Sequence, residues 1–196
     1  MDKNFTYDDF IIVGNTIKGM TKQGKDKIKT QGITELEIPK VSPEGEPIKH
    51  IGENAFYRRG LTKVVIPETV ETIGYDAFGV CKLTEIEIPD SVIDIKAFAF
   101  YRNKLEKVKF SKNLKYIRPS AFALNNLEEI NLPDGLELID TSAFFKNSIT
   151  EVKIPNSIKK INMFAFGKNN IMEVNVPSSI EELHDKAFEE NTTVHK

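Results

Sequence analysis

The stretch IDIKAFAFYRNKLEKV, residues 93–108, holds the pair Ala-Phe twice within four residues. Only one of those pairs can belong to a repeating frame. Ala-Phe also stands at Ala55-Phe56, Ala77-Phe78, Ala121-Phe122, Ala143-Phe144, Ala165-Phe166 and Ala187-Phe188. The spacing is 22 residues with one gap of 44, and Ala99-Phe100 fills that gap in register. Ala97-Phe98 is therefore the extra pair.

Other columns share the period. Four residues before each Ala stand Ile51, Ile73, Ile95, Ile117, Ile139, Ile161 and Leu183. Six residues after it come Leu61, Leu83, Leu105, Leu127, Ile149 and Ile171, followed by two more apolar columns that begin at Val64 and Ile66. Pro closes the unit at Pro67, Pro89, Pro133, Pro155 and Pro177, with Ser111 as the exception. A further apolar column runs Val70, Val92, Leu114, Leu136, Ile158, Ile180. A fixed period of this length signals a repeat architecture.

Within the unit, LTEIEIP (residues 83–89) alternates apolar and polar, as a half-buried strand does, and Pro ends the ladder. DSVIDIKAFAF (residues 90–100) is too short and too β-branched for a helix, so extended or 3₁₀ turns are expected there. Gly52 and Gly74 suggest a turn column that tolerates positive φ. A 22-residue unit cannot bury its own apolar face, so the units must stack as a solenoid. The predicted fold is a right-handed leucine-rich-repeat coil with a curved parallel β-sheet. At strand spacing, seven coils make an array roughly 35 Å long.

At these columns the chain resembles the BspA-like leucine-rich repeats of bacterial surface proteins. IGENAFYRRGLTKVVIP (51–67) and IGYDAFGVCKLTEIEIP (73–89) carry the resemblance, and LEIPKVSPEGEPIKHIGENAF (36–56) is similar to an entry repeat. The departures are Ser111 for Pro and the loss of Gly after Ile from the third Ala-Phe onward. The resemblance implies recognition or adhesion at a cell surface and brings no catalytic residues. It divides the chain into an N-terminal cap (1–32), a solenoid of about seven repeats (33–190) and a tail or truncated repeat (191–196). Beyond residue 190 no strand unit is complete. A longer chain or self-association through an open C-terminal edge is expected there.

Composition sets the remaining bounds. The chain has 196 residues and net charge −2, with 29% charged residues and one Cys. No basic stripe points to nucleic acid. No apolar run approaches a membrane span, so direct membrane insertion is not expected. Four arginines (Arg58, Arg59, Arg102, Arg118) argue against bidentate anion clamps. A lone Cys excludes internal disulfides and argues against structural zinc. The N-terminus lacks a signal-peptide pattern. A cytoplasmic protein and a mature segment of an exported one are both compatible with that.

Candidate site residues come from the columns. Cys81 stands in a column with Arg59, Asn103, Asn125, Asn147, Asn169 and Asn191. That column reads as an asparagine ladder satisfying turn backbone groups, which assigns Cys81 to structure rather than nucleophilic catalysis. His50, His184 and His195 (the last in a tail) supply no orienting partner. QGKDKIK (23–29) lacks the glycine spacing of a phosphate loop. It reads as a solvated segment of the cap.

Two outward strand columns remain. One reads Glu35, Lys63, Glu85, Lys107, Glu129, Glu151, Glu173; the other Glu37, Val65, Glu87, Lys109, Asn131, Lys153, Asn175. The first half alternates in sign, as cross-strand pairing favours. Glu129, Glu151 and Glu173 stack like on like. Carboxylates at that spacing suit a solvated face, a partner contact, a cation or a retaining glycosidase pair. We expect a partner contact with a protein or glycan ligand, with no catalytic residue, cofactor or metal. Phe98, Met163 and Phe164 lie on a turn face and either fold over a neighbouring repeat or form an apolar contact. Phe98 and Phe164 are three repeats apart, which argues against one compact patch. The rival functions are an intracellular or structural scaffold without its own ligand, and a carbohydrate-active enzyme.

Overall fold

The computed structural model describes residues 5–196. It is a β-solenoid with two rows of short strands. One row precedes the Pro column: Glu35–Glu37, Lys63–Val65, Glu85–Glu87, Lys107–Lys109, Glu129–Ile130, Glu151–Val152 and Glu173–Asn175. The other precedes Ala-Phe: His50–Ile51, Thr72–Ile73, Asp94–Ile95, Tyr116–Ile117, Leu138–Ile139, Lys160–Ile161 and Glu182–Leu183. We call them the Pro-side and Ile-side rows.

The apolar columns point between the rows. Seven phenylalanines (Phe56, Phe78, Phe100, Phe122, Phe144, Phe166, Phe188) stack in a single pile. Successive ring centroids are 5.1–5.7 Å apart and the rings tilt by 2–14°. The backbone sets this pile: Phe78 N–H donates to Ala99 O at 2.8 Å, and the bond recurs at every coil. Where Pro is missing, Ser111 is fully buried and its hydroxyl accepts from Asn113 N–H at 3.1 Å. Phe110 in the same coil meets Phe122 edge-on at 5.3 Å.

Two expectations need correction. The continuous sheet is the Ile-side row, in the segment expected to be extended or 3₁₀ turn. It forms a nine-stranded sheet with the N-terminal hairpin. The Pro-side row pairs only at alternate steps: Glu35–Glu37 with Lys63–Val65, Glu85–Glu87 with Lys107–Lys109, Glu129–Ile130 with Glu151–Val152, and Glu173–Asn175 with Thr193–His195. Coils held at hydrogen-bonding distance on one side need not stay so on the other, and the Pro side opens at every second step.

Positive φ is not at Gly52 or Gly74 either. It occurs on both sides of Ala-Phe, at Asn54, Asp76, Phe98, Ser120, Ser142 and Phe164 (51–61°) and at Arg58, Val80, Arg102, Leu124, Lys146 and Lys168 (53–56°). Gly74 is required for closeness instead: a Cβ there would lie 2.6 Å from the carbonyl carbon of Gly52.

The N-terminal segment folds as a hairpin, β1 (Phe10–Val13) and β2 (Thr16–Met20), followed by a helix, α1 (Lys22–Gln31). β2 pairs with His50–Ile51 and so starts the Ile-side sheet. The helix was not foreseen. Its signals are local: the Thr21 hydroxyl accepts from Gly24 N–H at 3.2 Å, and Gly32 ends it at φ 70°. Asp9, fully buried, binds the helix to the hairpin. It accepts from Lys27 Nζ (2.6 Å), Thr6 N–H (2.7 Å) and Gln23 Nε2 (3.1 Å). Burial pushes its carboxyl up, but these donors prevail and hold it below the ordinary value.

Candidate recognition face

Strand alternation sends the middle residue of each Pro-side strand inward and its two neighbours outward. Glu85, Glu87, Lys107, Lys109, Glu129, Asn131, Glu151, Lys153, Glu173 and Asn175 are all exposed on this one face. Paired steps set Glu85 opposite Lys107 and Glu87 opposite Lys109. Glu87 and Lys109 form an ion pair, and the carboxylate holds the ammonium above its ordinary value.

The expected stack of three glutamates is broken. Glu129 and Glu151 are direct neighbours in a paired step. Glu173 lies across an unpaired step, with its carboxylate 2.9 Å from His195 Nε2. His195 is thus part of a strand, Thr193–His195, rather than a tail. Val194 faces Val174 only 20 residues earlier, so the last coil is two residues short.

Unpaired steps leave clefts. One lies between Lys63–Val65 and Glu85–Glu87, with Val64 and Ile86 among its walls and Lys107 and Lys109 at its rim. Another lies between Glu151–Val152 and Glu173–Asn175, flanked by Lys153. The face is therefore a ridged, charged surface with apolar-walled slots. Among the described residues, no three His, Cys, Asp or Glu side chains group as a metal set.

The ladder column lies inside the corner that follows Ala-Phe. Asn103, Asn125 and Asn147 are buried and Asn169 is half-buried. Each accepts from an amide N–H one coil back: Leu83, Leu105, Leu127 and Ile149, at 3.0–3.1 Å. Each side-chain amide also donates to two Phe carbonyls, its own coil's and the preceding one's. Cys81 is buried, donates to Phe56 O at 3.2 Å, and has its thiol pushed up by burial. Asn191 departs from the column. It is exposed, because the shortened last coil turns early, and Thr192 Oγ1 donates to Ile171 O instead.

Phe98 folds over its neighbours, edge-on to Tyr75 at 5.5 Å and Tyr101 at 5.4 Å. Phe164 leans on Phe145 at 6.3 Å and stays 39% exposed; Met163 is 37% exposed.

One cluster escaped the sequence reading. Three of the four arginines (Arg58, Arg59, Arg102) gather with Lys82 and Lys104 on the corner of three successive coils. The signal was present in the 22-residue frame. Arg58 and Arg102 share one column, and Lys82 and Lys104 another two residues on.

Comparison with known proteins fits this geometry. The model for the BspA type leucine rich repeat region matches residues 49–169 and 117–196, in six copies. The chain belongs to this family. No curated protein matches it. Among solved structures, a neighbour in fold is a leucine-rich repeat protein from Bacteroides ovatus. It has 20% identity and TM-score 0.56, over 87% of this chain and 57% of that one. The leucine-rich repeat protein of T. pallidum has 23% identity and TM-score 0.54, over 87% and 69%. A leucine-rich cell surface protein from Faecalibacterium prausnitzii has 19% identity and TM-score 0.56, over 94% and 66%. The chain thus spans about three fifths to two thirds of these structures, and the likeness establishes the shared fold.

Proposed function

We propose that this BspA-type solenoid is a non-enzymatic recognition module displayed at a bacterial surface. It binds a protein or glycan through its Pro-side face. The observation that carries this is the row of ten exposed polar and charged side chains on one regular face, interrupted by apolar-walled clefts. Solenoids present broad surfaces of this kind to partners. The surface location is supported by family membership and by the neighbour described as a cell surface protein.

The test is capture by purified residues 1–196 of extracellular-matrix proteins and glycans arrayed as a panel, with fractionation of the source cell alongside. The proposal expects a saturable, specific hit and a surface fraction. No hit across the panel would favour a scaffold or spacer that holds other domains apart. A purely cytoplasmic fraction would remove the surface role. Hydrolysis of any glycan in the panel would overturn the non-enzymatic assignment.

A further inference from the structure

The Ala-Phe corner of the first three full coils carries charge of the opposite kind to the glutamate stack. Its backbone is a ladder: Arg58 N–H donates to Gly79 O, Val80 N–H to Tyr101 O, and Arg102 N–H to Ala123 O, at 2.8–3.0 Å. This places Arg58, Val80 and Arg102 in one row on consecutive coils. A second rung row brings Lys82 N–H to Leu61 O and Lys104 N–H to Leu83 O, at 2.9 and 3.0 Å. Lys82 and Lys104 are therefore neighbours beside the arginine row.

Arg58, Lys82, Arg102 and Lys104 are exposed, and Arg59 is half-buried. Among the described residues none of the five forms an ion pair, whereas Arg118 is paired with Asp94. Arg59 Nε is buried and has no hydrogen-bond partner. Arg58 lies over the Tyr57 ring at 5.2 Å, and on the following coils Tyr75 and Tyr101 pack edge-on against Phe98. The acids bordering the corner are Glu53, Asp76 and Glu106. Arg58 interacts electrostatically with Asp76, but among the described residues no ion pair closes on any of the five cations, and in a chain of net charge −2 they make a basic corner.

We propose that this corner is a second docking surface, for an extended acidic polypeptide segment. Charge complementarity selects an anion. Arginine forks select carboxylates geometrically, and Tyr with Arg is the composition of protein-binding hot spots. Arg58 and Arg102 are two coils apart, about 10 Å, which about three residues of extended chain span. Carboxylates at that separation engage both arginines.

The test uses the whole chain and a fluorescein-labelled octaglutamate peptide, read by anisotropy at low and physiological salt. Arg58→Glu/Arg102→Glu is expected to weaken binding at least about tenfold. Arg58→Lys/Arg102→Lys, which keeps the charge but loses the fork, is expected to weaken it several-fold. Lys159→Glu/Lys186→Glu carries the same charge change away from the corner and is expected to cost under about twofold. All these sites are exposed, and an unchanged melting curve shows that folding is kept. Failure of wild type to bind the peptide, or equal losses for the two reversals, overturns the proposal. So does binding of a sulfated glycosaminoglycan through these residues with none of the peptide. Either result leaves the Pro-side face untouched, because the two surfaces share no residue.

Discussion

Replacing Asn125 by Ala removes one rung of the ladder, and its cost follows from the bonds it makes. The Asn125 carbonyl accepts from Leu105 N–H at 3.0 Å, and Leu105 is fully buried. That amide has no other acceptor among the described residues once the Asn125 oxygen is gone. An orphaned buried donor costs about 1–3 kcal/mol. The Asn125 amide also donates to Phe100 O and Phe122 O at 3.0 Å. Those carbonyls keep a second donor each, from Asn103 and Asn147, so their loss adds only about 1 kcal/mol. The expected sum is about 2–4 kcal/mol, or roughly 4–16 °C in Tm for a chain of this size. Thermal and urea unfolding followed by circular dichroism measure it. Asn126→Ala, at the exposed next position, is the control and should stay within about 0.5 kcal/mol. If Asn125→Ala matches that control, the buried column does not hold the coils together and the reasoning fails.

Three further outcomes follow from the same packing. Cys81→Asn should stabilise by about 1–2 kcal/mol in urea unfolding, because it replaces the weak sulfur acceptor beside Leu61 N–H with the amide oxygen that its counterparts have; destabilisation would show that the thiol fits this coil better. Val80 is β-branched in a left-handed backbone, φ 54°, so Val80→Gly should raise Tm by a few degrees, equivalent to about 0.5–1 kcal/mol; a lower Tm would mean its side-chain packing outweighs the strain. Despite burial, Asp9 has its folded-state carboxyl held below the ordinary carboxylate value by Lys27, Thr6 and Gln23, so its contribution is present above the ordinary value and is lost as pH falls through the lower one. Asp9→Asn should therefore cost about 2–3 kcal/mol at neutral pH and flatten the acid limb of a stability-pH profile, whereas a parallel shift at every pH would refute the linkage.

The period, the inward columns and the placement of Ala99-Phe100 in the pile were all legible, because burial repeats with side-chain direction and side-chain direction repeats with sequence. What a column cannot express is the distance between coils. That is why the Pro-side strands, with the clearer alternation, turned out to pair only at every second step. The two-residue Ile-side strands carry the continuous sheet instead. The same limit separates Glu173 from Glu151: they are neighbours in the column but lie across an unpaired step. The left-handed positions were misplaced for another reason. Gly52 and Gly74 drew attention to a column where closeness matters, while Asn, Asp and Ser one residue before Ala were the truer mark of positive φ. Phe98 and Phe164 hide that mark by occupying the same position. Helix α1 has short, polar signals that compete poorly with a repeat pattern covering most of the chain.

The most direct test of recognition through the Pro-side face compares two triple charge reversals against whichever panel ligand residues 1–196 capture. Glu129→Lys/Glu151→Lys/Glu173→Lys alters that face. Glu71→Lys/Glu137→Lys/Glu181→Lys makes the same net change along the Ile side. The account predicts that the first weakens equilibrium binding at least about tenfold and the second less than about twofold. Equal losses would reduce the effect to net charge, and a loss confined to the second triple would place the contact on the opposite face.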